Sequence, residues 1–289
     1  MKLTTYDLAD DFLDVALDPL LREEEKNNLI LGISMRVRDG RKYGEESPLF
    51  LTVHDADELV AAAIRTPPYN MILHCEDNRL DALDVIVEHL IETGHQLPGA
   101  NGTVDVVAAF VEKWSQRTGE SAFVRMEQRI YTLTKVFPPA NVSGHMRWAR
   151  EEDVPTLVKW FLGFCEDAVP DDPPADPEKN VRQFMKTGKL AVWDDNGMVS
   201  MTGSSRGTPN GAAVSAVYTP PEFRGNGYAS GCVAALSQSL LDDGNRFCAL
   251  YTDFSNPTAN KIYQIVGYRP VVDCAMYLFG EAKEQGPPW

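Results

Sequence analysis

One segment of the chain restricts its fold more than any other. The apolar run GAAVSAVYT at residues 211–219 is followed by the loop PEFRGNGYAS at 221–230 and by a helical pattern from 227 to 241. A second apolar run, FCALYT, occupies 247–252. A strand, a helix and a further strand in this order form a β-α-β unit, which favours a sheet with helices on both faces. We call residues 221–230 the glycine loop.

The remainder of the second half supplies elements on either side of this unit. Helix spacing marks residues 150–168 and 177–189, and we expect Gly188 to close the second of these helices. The turn at 194–197, Asp-Asp-Asn-Gly, joins two strands within 190–205. Further elements are a strand at 145–149, a helix at 257–265 and final strands at 268–272 and 274–279. The order β-α-α-β-β-β-α-β-α-β-β predicts an α/β chain with a mixed sheet.

The composition of the glycine loop suits an anionic ligand. It stands where a helix begins, and a helix N-terminus offers unpaired N–H groups and the positive end of the helix dipole. Glycine lets the backbone approach a ligand closely, and Arg224 adds positive charge. A pyrophosphate fits this combination, although a plain turn with a solvated arginine is the alternative. Neither a P-loop nor a dinucleotide fingerprint is present, because Gly225, Gly227 and Gly231 miss the latter by one residue.

Two motifs in this half resemble those of the Gcn5-related N-acetyltransferases. The spacing Arg224-x-x-Gly227-x-Ala229 resembles that family's acetyl-CoA loop, Arg/Gln-x-x-Gly-x-Gly/Ala. The segment SNPTANKIYQIVGY resembles its second motif through Asn256, Ala259, Tyr263, Gly267 and Tyr268. One helix and one strand separate the motifs, as the family requires. The resemblance covers about residues 144–280 and implies an acyl-CoA N-acyltransferase-like fold.

The resemblance also implies a role for each matching segment, with acetyl-CoA as the cosubstrate. Backbone groups of the strand end would bind the pantetheine arm and the thioester; these residues are Ala216, Val217, Tyr218 and Thr219. The pyrophosphate would lie against Arg224, Gly225, Asn226, Gly227, Tyr228, Ala229 and Ser230. Asn256 would reach the pantetheine, and the Tyr263 phenol would protonate the departing thiolate. Asn256 as a helix cap and Tyr263 as a core aromatic remain open alternatives.

The first half shows a similar order of elements. Helical patterns occupy about residues 6–33, 79–94 and 103–118, and strand patterns occupy 48–53, 59–66, 69–74 and 122–133. We therefore expect a degenerate tandem copy of the same fold, with domains at 1–140 and 144–289. The loop at 75–80 has no glycine and carries Glu76 and Asp77, whose charges would repel a phosphate. This half should not bind CoA, and its role would be structural or that of one wall of the acceptor cleft.

Composition narrows the class of protein further. With a formal net charge of −15, a nucleic-acid-binding role is disfavoured. No apolar run is long enough to cross a bilayer, and the first residues are acidic rather than typical of a secretory signal. Five cysteines without a C-x-x-C pair favour reduced thiols, and five scattered histidines give no support for a metal site. We therefore expect a cytoplasmic protein that binds neither membranes nor nucleic acid.

These observations predict an N-acetyltransferase that transfers an acetyl group from acetyl-CoA to a primary amine of a small molecule or peptide by direct attack. A non-catalytic acyl-CoA-binding or sensing protein is the alternative. No base is evident: Glu222, Asp253 and a water chain are all candidates. Acids near the loop at 165–177 either favour a cationic amine or form a solvated surface; they are Glu166, Asp167, Asp171, Asp172 and Asp176. The oligomeric state and the acceptor stay open.

Overall fold

The structure, a computed structural model, describes residues 1–168, 176–187 and 189–281. Gly188, Asp171 and Asp172 lie outside the described residues. The chain divides into two compact units. The first unit contains Met1–Arg129 and the segment that begins at Val272, and the second unit is Ile130–Val271.

The first unit has one strand, two helices, three antiparallel strands and then two helix–strand pairs. Its elements are β1 (Lys2–Tyr6), α1 (Ala9–Leu21), α2 (Asn28–Arg38), β2 (Leu49–Asp55), β3 (Glu58–Arg65), β4 (Met71–Cys75), α3 (Ala82–Glu92), β5 (Gly99–Thr103), α4 (Val104–Thr118) and β6 (Ala122–Leu133). Strands β1 to β4 pair antiparallel in sequence order, and β4 pairs parallel with β5. The sheet is therefore mixed.

Strand β3 of the first unit is apolar on both faces. Val60 and Ala61 pack in a core with α3 and α4, whereas Leu59 and Ile64 pack in a core with α1 and α2. A nearly continuous apolar strand of this kind needs a helix layer on each side of the sheet. The first unit thus has the helix–sheet–helix layering that the element order predicts.

The second unit repeats this order. Its elements are β7 (His145–Trp148), a short 3₁₀ helix (Glu151–Asp153), α5 (Val154–Ala168), α6 (Pro177–Lys186), β8 (Leu190–Asp194), β9 (Met198–Gly207), β10 (Gly211–Tyr218), a 3₁₀ helix (Pro221–Phe223), α7 (Tyr228–Asp242), β11 (Phe247–Asp253), α8 (Pro257–Val266) and β12 (Arg269–Phe279). Strands β7 to β10 pair antiparallel, and β10 pairs parallel with β11. Residues of β8, such as Trp193 and Val192, alternate between a core with α7 and α8 and a core with α5 and α6.

The matching element order confirms two tandem copies of one fold, and it corrects three details of the sequence reading. No strand was expected before the helical pattern that starts at residue 6, but β1 lies there and pairs with β2 from Lys2↔His54 to Tyr6↔Phe50. Strand β5, GANGT, lacks the apolar run that would reveal it and is formed through its partners in the sheet. The two final strands are a single strand, β12, that tolerates Pro270 near its start.

The last strand of each copy contributes to the unit of the other copy. Residues 274–278 of β12 pair antiparallel with β5 in the first unit. In the second unit the neighbour of β11 is β6, whose residues from Ile130 onward belong to that unit. The units consequently differ in their limits from the expected domains 1–140 and 144–289. As sequence segments with separate roles, those domains stay a prediction.

Candidate functional site

Strands β10 and β11 pair over only part of their length. The parallel register joins Gly211–Ala213 to Phe247–Ala249, whereas β10 continues to Tyr218 and β11 to Asp253. Beyond Ala213 the two strands diverge, and backbone groups of β10 that face this gap are not paired with β11. We call the gap the slot. An extended ligand can bind there through main-chain hydrogen bonds, as an added strand would.

A bulge lies on β10 beside the slot. Ser215 pairs with Gly203 and Tyr218 with Met201, so β10 has one more residue than β9 across this interval. Ala216 has φ +52°, a left-handed conformation that costs a non-glycine residue about 1 kcal/mol or more. Bulges of this kind redirect backbone groups and are common next to active sites. Here Ala216 and Val217 of β10 lie opposite a single residue of β9, so the regular pairing of the two strands is interrupted at this point.

Side chains fix the end of β10. The Ser200 hydroxyl donates to the Tyr218 carbonyl (3.0 Å) or shares a hydrogen bond with the Thr219 hydroxyl (2.8 Å). The Arg224 Nε donates to the Thr219 carbonyl at 2.9 Å. The carbonyl groups of Tyr218 and Thr219 thus already accept hydrogen bonds. Four residues are expected to bind the pantetheine arm. The N–H groups of all four and the carbonyl groups of Ala216 and Val217 fit that role best.

The Arg224 guanidinium folds back onto the unit. Its Nη2 lies 2.8 Å from Asp167 Oδ2 on α5, and its central carbon lies 5.8 Å from the centroid of the Tyr218 ring. Burial, and then the Asp167 charge, raise the pKa of the Tyr218 phenol. Gly163 leaves room for that phenol, since a Cβ there would overlap it. The positive charge expected to meet a phosphate is balanced by Asp167, so the expected contact with a phosphate depends mainly on the backbone of the glycine loop.

The glycines of the loop have the geometry that an anion site needs. Gly225 (φ +84°) and Gly227 (φ +82°) are both left-handed, and an added Cβ at Gly225 would meet no atom within 4 Å. Gly227 is the N-cap of α7, and no side chain caps this helix. The N–H groups of its first turn, Tyr228 to Ser230, lack intrahelical acceptors for the same reason as in any α-helix. A diphosphate fits this arrangement of N–H groups and helix dipole.

A carboxylate anchors the start of α7, and the sequence did not indicate it. Asp195 Oδ2 accepts hydrogen bonds from the Ser143 hydroxyl (2.6 Å) and the Tyr228 hydroxyl (2.7 Å). Both hydrogen bonds lower the pKa of Asp195, and the one from Ser143 has the larger effect. The phenol of Tyr228 therefore points to Asp195, and only the backbone of Tyr228 is placed to meet a phosphate. The sequence showed Asp195 solely as part of a hairpin turn.

The second motif forms α8 and contributes one candidate acid. Asn256 Oδ1 accepts from the Ala259 N–H at 3.0 Å, so Asn256 does cap the helix. Tyr263 is 9 % exposed, and its ring meets that of Tyr268 edge to face at 6.0 Å. The Tyr268 hydroxyl is fully buried and bonded to Ser237 (2.8 Å). Burial raises the pKa of Tyr263 to about 12, so its phenol carries a proton at neutral pH.

The corresponding loop of the first unit is filled by its own side chains. Arg79 pairs with Asp55 (3.0 Å) and Asp81 (3.2 Å), and the Cys75 thiol donates to the Arg79 carbonyl (3.0 Å). Lys26, in the turn before α2, pairs with Asp77 (3.5 Å). Strand β4 pairs with β3 in unbroken register.

Within the described residues, no group of three or more His, Cys, Asp or Glu side chains could hold a metal ion.

Comparisons with known proteins agree with this geometry. A family model described as FR47-like protein matches residues 199–276, which include β10, the glycine loop and α8. No curated protein matches the chain significantly in sequence. Solved structures do match in fold. A GCN5-related N-acetyltransferase from Sphaerobacter thermophilus has a TM-score of 0.59 at 12% identity and covers 95% of this chain and 94% of its own.

Two further structures extend the likeness over the whole chain. A GNAT-family acetyltransferase from Colwellia psychrerythraea has a TM-score of 0.57 at 14% identity, with 96% of this chain and 99% of that chain covered. A tandem GNAT protein from the clavulanic acid biosynthesis pathway has a TM-score of 0.57 at 14% identity, with 99% and 100% covered. The protein thus has the fold of the Gcn5-related N-acetyltransferases in two tandem copies, and the second copy contains the FR47-like segment.

Proposed function

We propose that the second unit is an N-acetyltransferase that takes an acetyl group from acetyl-CoA and transfers it to a primary amine of a small molecule or peptide. The observation that carries the proposal is the bulge at Ala216. It interrupts the regular pairing of β10 with β9 just beyond the point where β10 stops pairing with β11, in the same unit as the left-handed glycines that precede α7.

The described residues fit acetyl-CoA. The backbone of the glycine loop and the first turn of α7 would hold its pyrophosphate, and β10 from Ala216 to Thr219 would hold the pantetheine arm, which Asn256, the N-cap of α8, would also reach. The thioester supplies an electrophilic carbonyl carbon. N–H groups at the bulge would polarise that carbonyl and stabilise the oxyanion formed when an amine attacks directly. The phenol of Tyr263, protonated at neutral pH, would donate its proton to the leaving thiolate.

No residue is assigned as the base that removes a proton from the attacking ammonium. Asp253 Oδ1 accepts from the Ser255 N–H (2.7 Å) and hydroxyl (2.6 Å), so this carboxylate is engaged at the turn before α8. Glu222 lies exposed on the 3₁₀ helix that precedes Arg224. A water chain therefore fits the proposal best. That no side chain is assigned as the base also favours the second candidate, an acyl-CoA-binding or sensing protein without turnover.

The surroundings bear on the acceptor and the compartment. Asp167 pairs with Arg224, and Asp176 caps α6 by accepting from the Lys179 N–H, so two acids expected to attract a cationic amine have other partners. A cationic acceptor stays a prediction. The five cysteines are buried and form no disulfide, which fits a reducing compartment, and we extend the proposal to a cytoplasmic location. The described helices include none long and apolar enough to cross a membrane.

Two measurements test the proposal. Isothermal titration calorimetry should detect acetyl-CoA binding, and a screen of amines should reveal CoA release that requires both the amine and Tyr263. CoA release with at least one amine class supports the enzyme. Tight acetyl-CoA binding with no release across the screen would favour the sensing protein, and absence of binding at millimolar acetyl-CoA would overturn both.

A further inference from the structure

Two loops of the first unit meet at one end of its sheet. One loop joins α2 to β2, and the other joins β3 to β4. Gly44 of the first loop lies against the second, because an added Cβ there would overlap the carbonyl oxygen of Pro67. The rings of Tyr43 and Tyr69, one from each loop, meet edge to face with their centroids 6.0 Å apart. The two loops therefore hold their side chains in a fixed relation to each other.

An arginine lies beside each of the two tyrosines. The central carbon of the Arg41 guanidinium lies 5.9 Å from the centroid of the Tyr43 ring. The Arg65 Nε, at the end of β3, donates to the Tyr69 carbonyl at 3.1 Å. We call Arg41, Tyr43, Arg65 and Tyr69 the arginine–tyrosine cluster. Tyr69 is exposed and the other three residues are half-buried, so the cluster lies at the surface of the unit.

Two polar atoms of the arginine–tyrosine cluster lack partners. The Arg41 Nε and the Tyr43 hydroxyl oxygen are both shielded from solvent, and neither has a hydrogen-bond partner among the residues that the structure describes. Buried polar groups normally have a partner, so these two indicate a ligand or a water. Because they belong to one loop and to side chains in contact with each other, one bound group can serve both.

The charges around the cluster favour an anion. In the part of the chain that the structure describes, neither Arg41 nor Arg65 lies within ion-pair distance of a carboxylate. Burial, and then the charge of Arg65, lower the pKa of His95, and the opposing effect of Glu46 is smaller. At this end of the sheet the positive charge of Arg65 therefore outweighs the nearest carboxylate that acts on the same histidine.

A water would satisfy the hydrogen bonds of the cluster but not its charge. The Arg41 Nε–H can only donate, and the Tyr43 hydroxyl is free to donate as well. One water could accept from both groups, yet two guanidinium charges would remain without a counter-charge. An oxyanion accepts the same hydrogen bonds and balances the charge, and an arginine fork suits it in shape.

We infer that the arginine–tyrosine cluster is a second ligand site, for the phosphate group of a small phosphate monoester. The Arg41 Nε and the Tyr43 hydroxyl would donate to its oxygens, Arg65 would supply the second positive charge, and the exposed Tyr69 ring would move aside to admit it. A phosphate monoester carries close to two negative charges at neutral pH, which matches two arginines better than a carboxylate does. The inference is independent of the proposed acetyl transfer, and it gives the first unit a binding role.

The test follows ethyl phosphate binding to the full chain by amide NMR spectroscopy. Signals of residues 41–46 and 65–70 should shift together, with or without one equivalent of acetyl-CoA, which separates this site from the glycine loop. Tyr43→Phe should weaken binding by at least about fivefold and Arg41→Gln by at least about tenfold, because each removes a hydrogen bond to a charged group. Arg22→Gln, at an exposed arginine after α1 in the same unit, should leave binding unchanged.

Other arms can overturn the inference. Acetate at equal ionic strength should bind more weakly than ethyl phosphate, because it carries one charge rather than two. The site would be refuted by signals of residues 41–46 that do not shift at tens of millimolar ethyl phosphate, or by acetate that binds as tightly. Unchanged affinity in Tyr43→Phe would mean that a water fills the cluster. If Arg41→Gln does not fold, Tyr43→Phe decides, since it keeps the ring that packs against Tyr69.

Discussion

The loops that follow β4 and β10 occupy equivalent positions in the two units but differ in what fills them. After β10 the backbone is left-handed at Gly225 and Gly227, and the adjoining strand is bulged. After β4 the strand is regular, and Arg79 is bound to carboxylates on both sides. A tandem copy of the fold therefore does not carry a copy of the site. What the first unit lacks is the bulge and the glycines: β4 pairs with β3 without a register shift, and the loop at 75–80 contains no glycine.

The largest effect is expected when the copies are separated. Residues 144–289 expressed alone would lack Ile130–Leu133, the part of β6 that lies beside β11 in the second unit. Tyr131 and Leu133 of that segment are buried in the core with α7 and α8. The fragment should show no cooperative thermal transition by circular dichroism, whereas residues 1–289 should. A stably folded fragment that binds acetyl-CoA would show that β6 is dispensable and that the copies are independent domains.

The next effect concerns which loop binds the cofactor. Gly227→Glu adds a charge and a side chain where the backbone must approach phosphate, and Val142 already lies 2.9 Å from the site of a Cβ there. Calorimetry should find one acetyl-CoA per chain in the unmodified protein and none in this variant. Asn78→Asp is the matched change in the first unit, at a left-handed residue that tolerates Asp, and it should leave binding intact. Two sites in the unmodified protein, or binding retained by a folded Gly227→Glu variant, would contradict the assignment.

The two units should also differ in their response to acid. His74 on β4 is buried, its Nδ1 lies 2.8 Å from Asn27 Oδ1, and burial, followed by the charge of Lys26, lowers its pKa to about 4. An unfolded histidine has a pKa of about 6.5 and so binds a proton that the native one does not. Stability of the first unit is thus greatest above pH 6.5 and falls by about 3 kcal/mol as the pH drops to 4.

In the second unit the acid response has a different window. Burial raises the pKa of Asp153, but hydrogen bonds from Arg147 outweigh burial and lower that pKa below its usual value. The stability that Asp153 contributes is therefore lost only below the ordinary range of aspartate pKa values. Between pH 6.5 and 4.5, the free energy of opening obtained from hydrogen exchange, after correction for the intrinsic exchange rate at each pH, should fall in β3 and β4 and change little in β8 and β9. His74→Asn should remove much of this dependence, and His145→Asn in the second unit should not. An equal fall in both units would refute the prediction.

A smaller effect separates Tyr263 from its neighbour. Tyr263→Phe removes only the phenolic proton donor, so single-turnover acetyl transfer should slow by about 10- to 100-fold with acetyl-CoA affinity within about twofold. Tyr268→Phe breaks the hydrogen bond to Ser237. It should cost about 1 kcal/mol of stability and leave the rate unchanged. If both variants lose stability and neither loses rate, Tyr263 is a packing residue.

The sequence revealed those parts of the fold and site that depend on local pattern. The β-α-β unit was visible because apolar runs and a helical period flank the glycine loop, and the left-handed residues Gly225 and Gly227 were visible as glycines. Strands β1 and β5 were not, since KLTTY and GANGT become strands through their partners.

Features that depend on distant partners could not be read from the chain. Alanine has no local preference for the conformation of Ala216, so the bulge is imposed by the sheet. The contact of Asp195 with Tyr228 joins residues 33 positions apart. The contribution of β6 and β12 to the opposite copy's unit leaves no trace in either strand's own pattern.

The smallest effect compares one left-handed glycine in each unit. Gly225 has φ +84° and Gly94, after α3, has φ +73°, and a Cβ added at either would meet no atom within 4 Å. Alanine at both positions should therefore pay only the left-handed penalty, about 1 kcal/mol in urea denaturation, because no collision is added. The affinity for acetyl-CoA should differ between the two variants. Gly225→Ala should weaken acetyl-CoA binding by up to about fivefold, since the loop must keep its shape to present its N–H groups, whereas Gly94→Ala should leave calorimetric affinity unchanged. Equal affinities in both variants would mean that the loop adjusts on binding, and that the bulge on β10, rather than the preset loop, is what distinguishes the second unit.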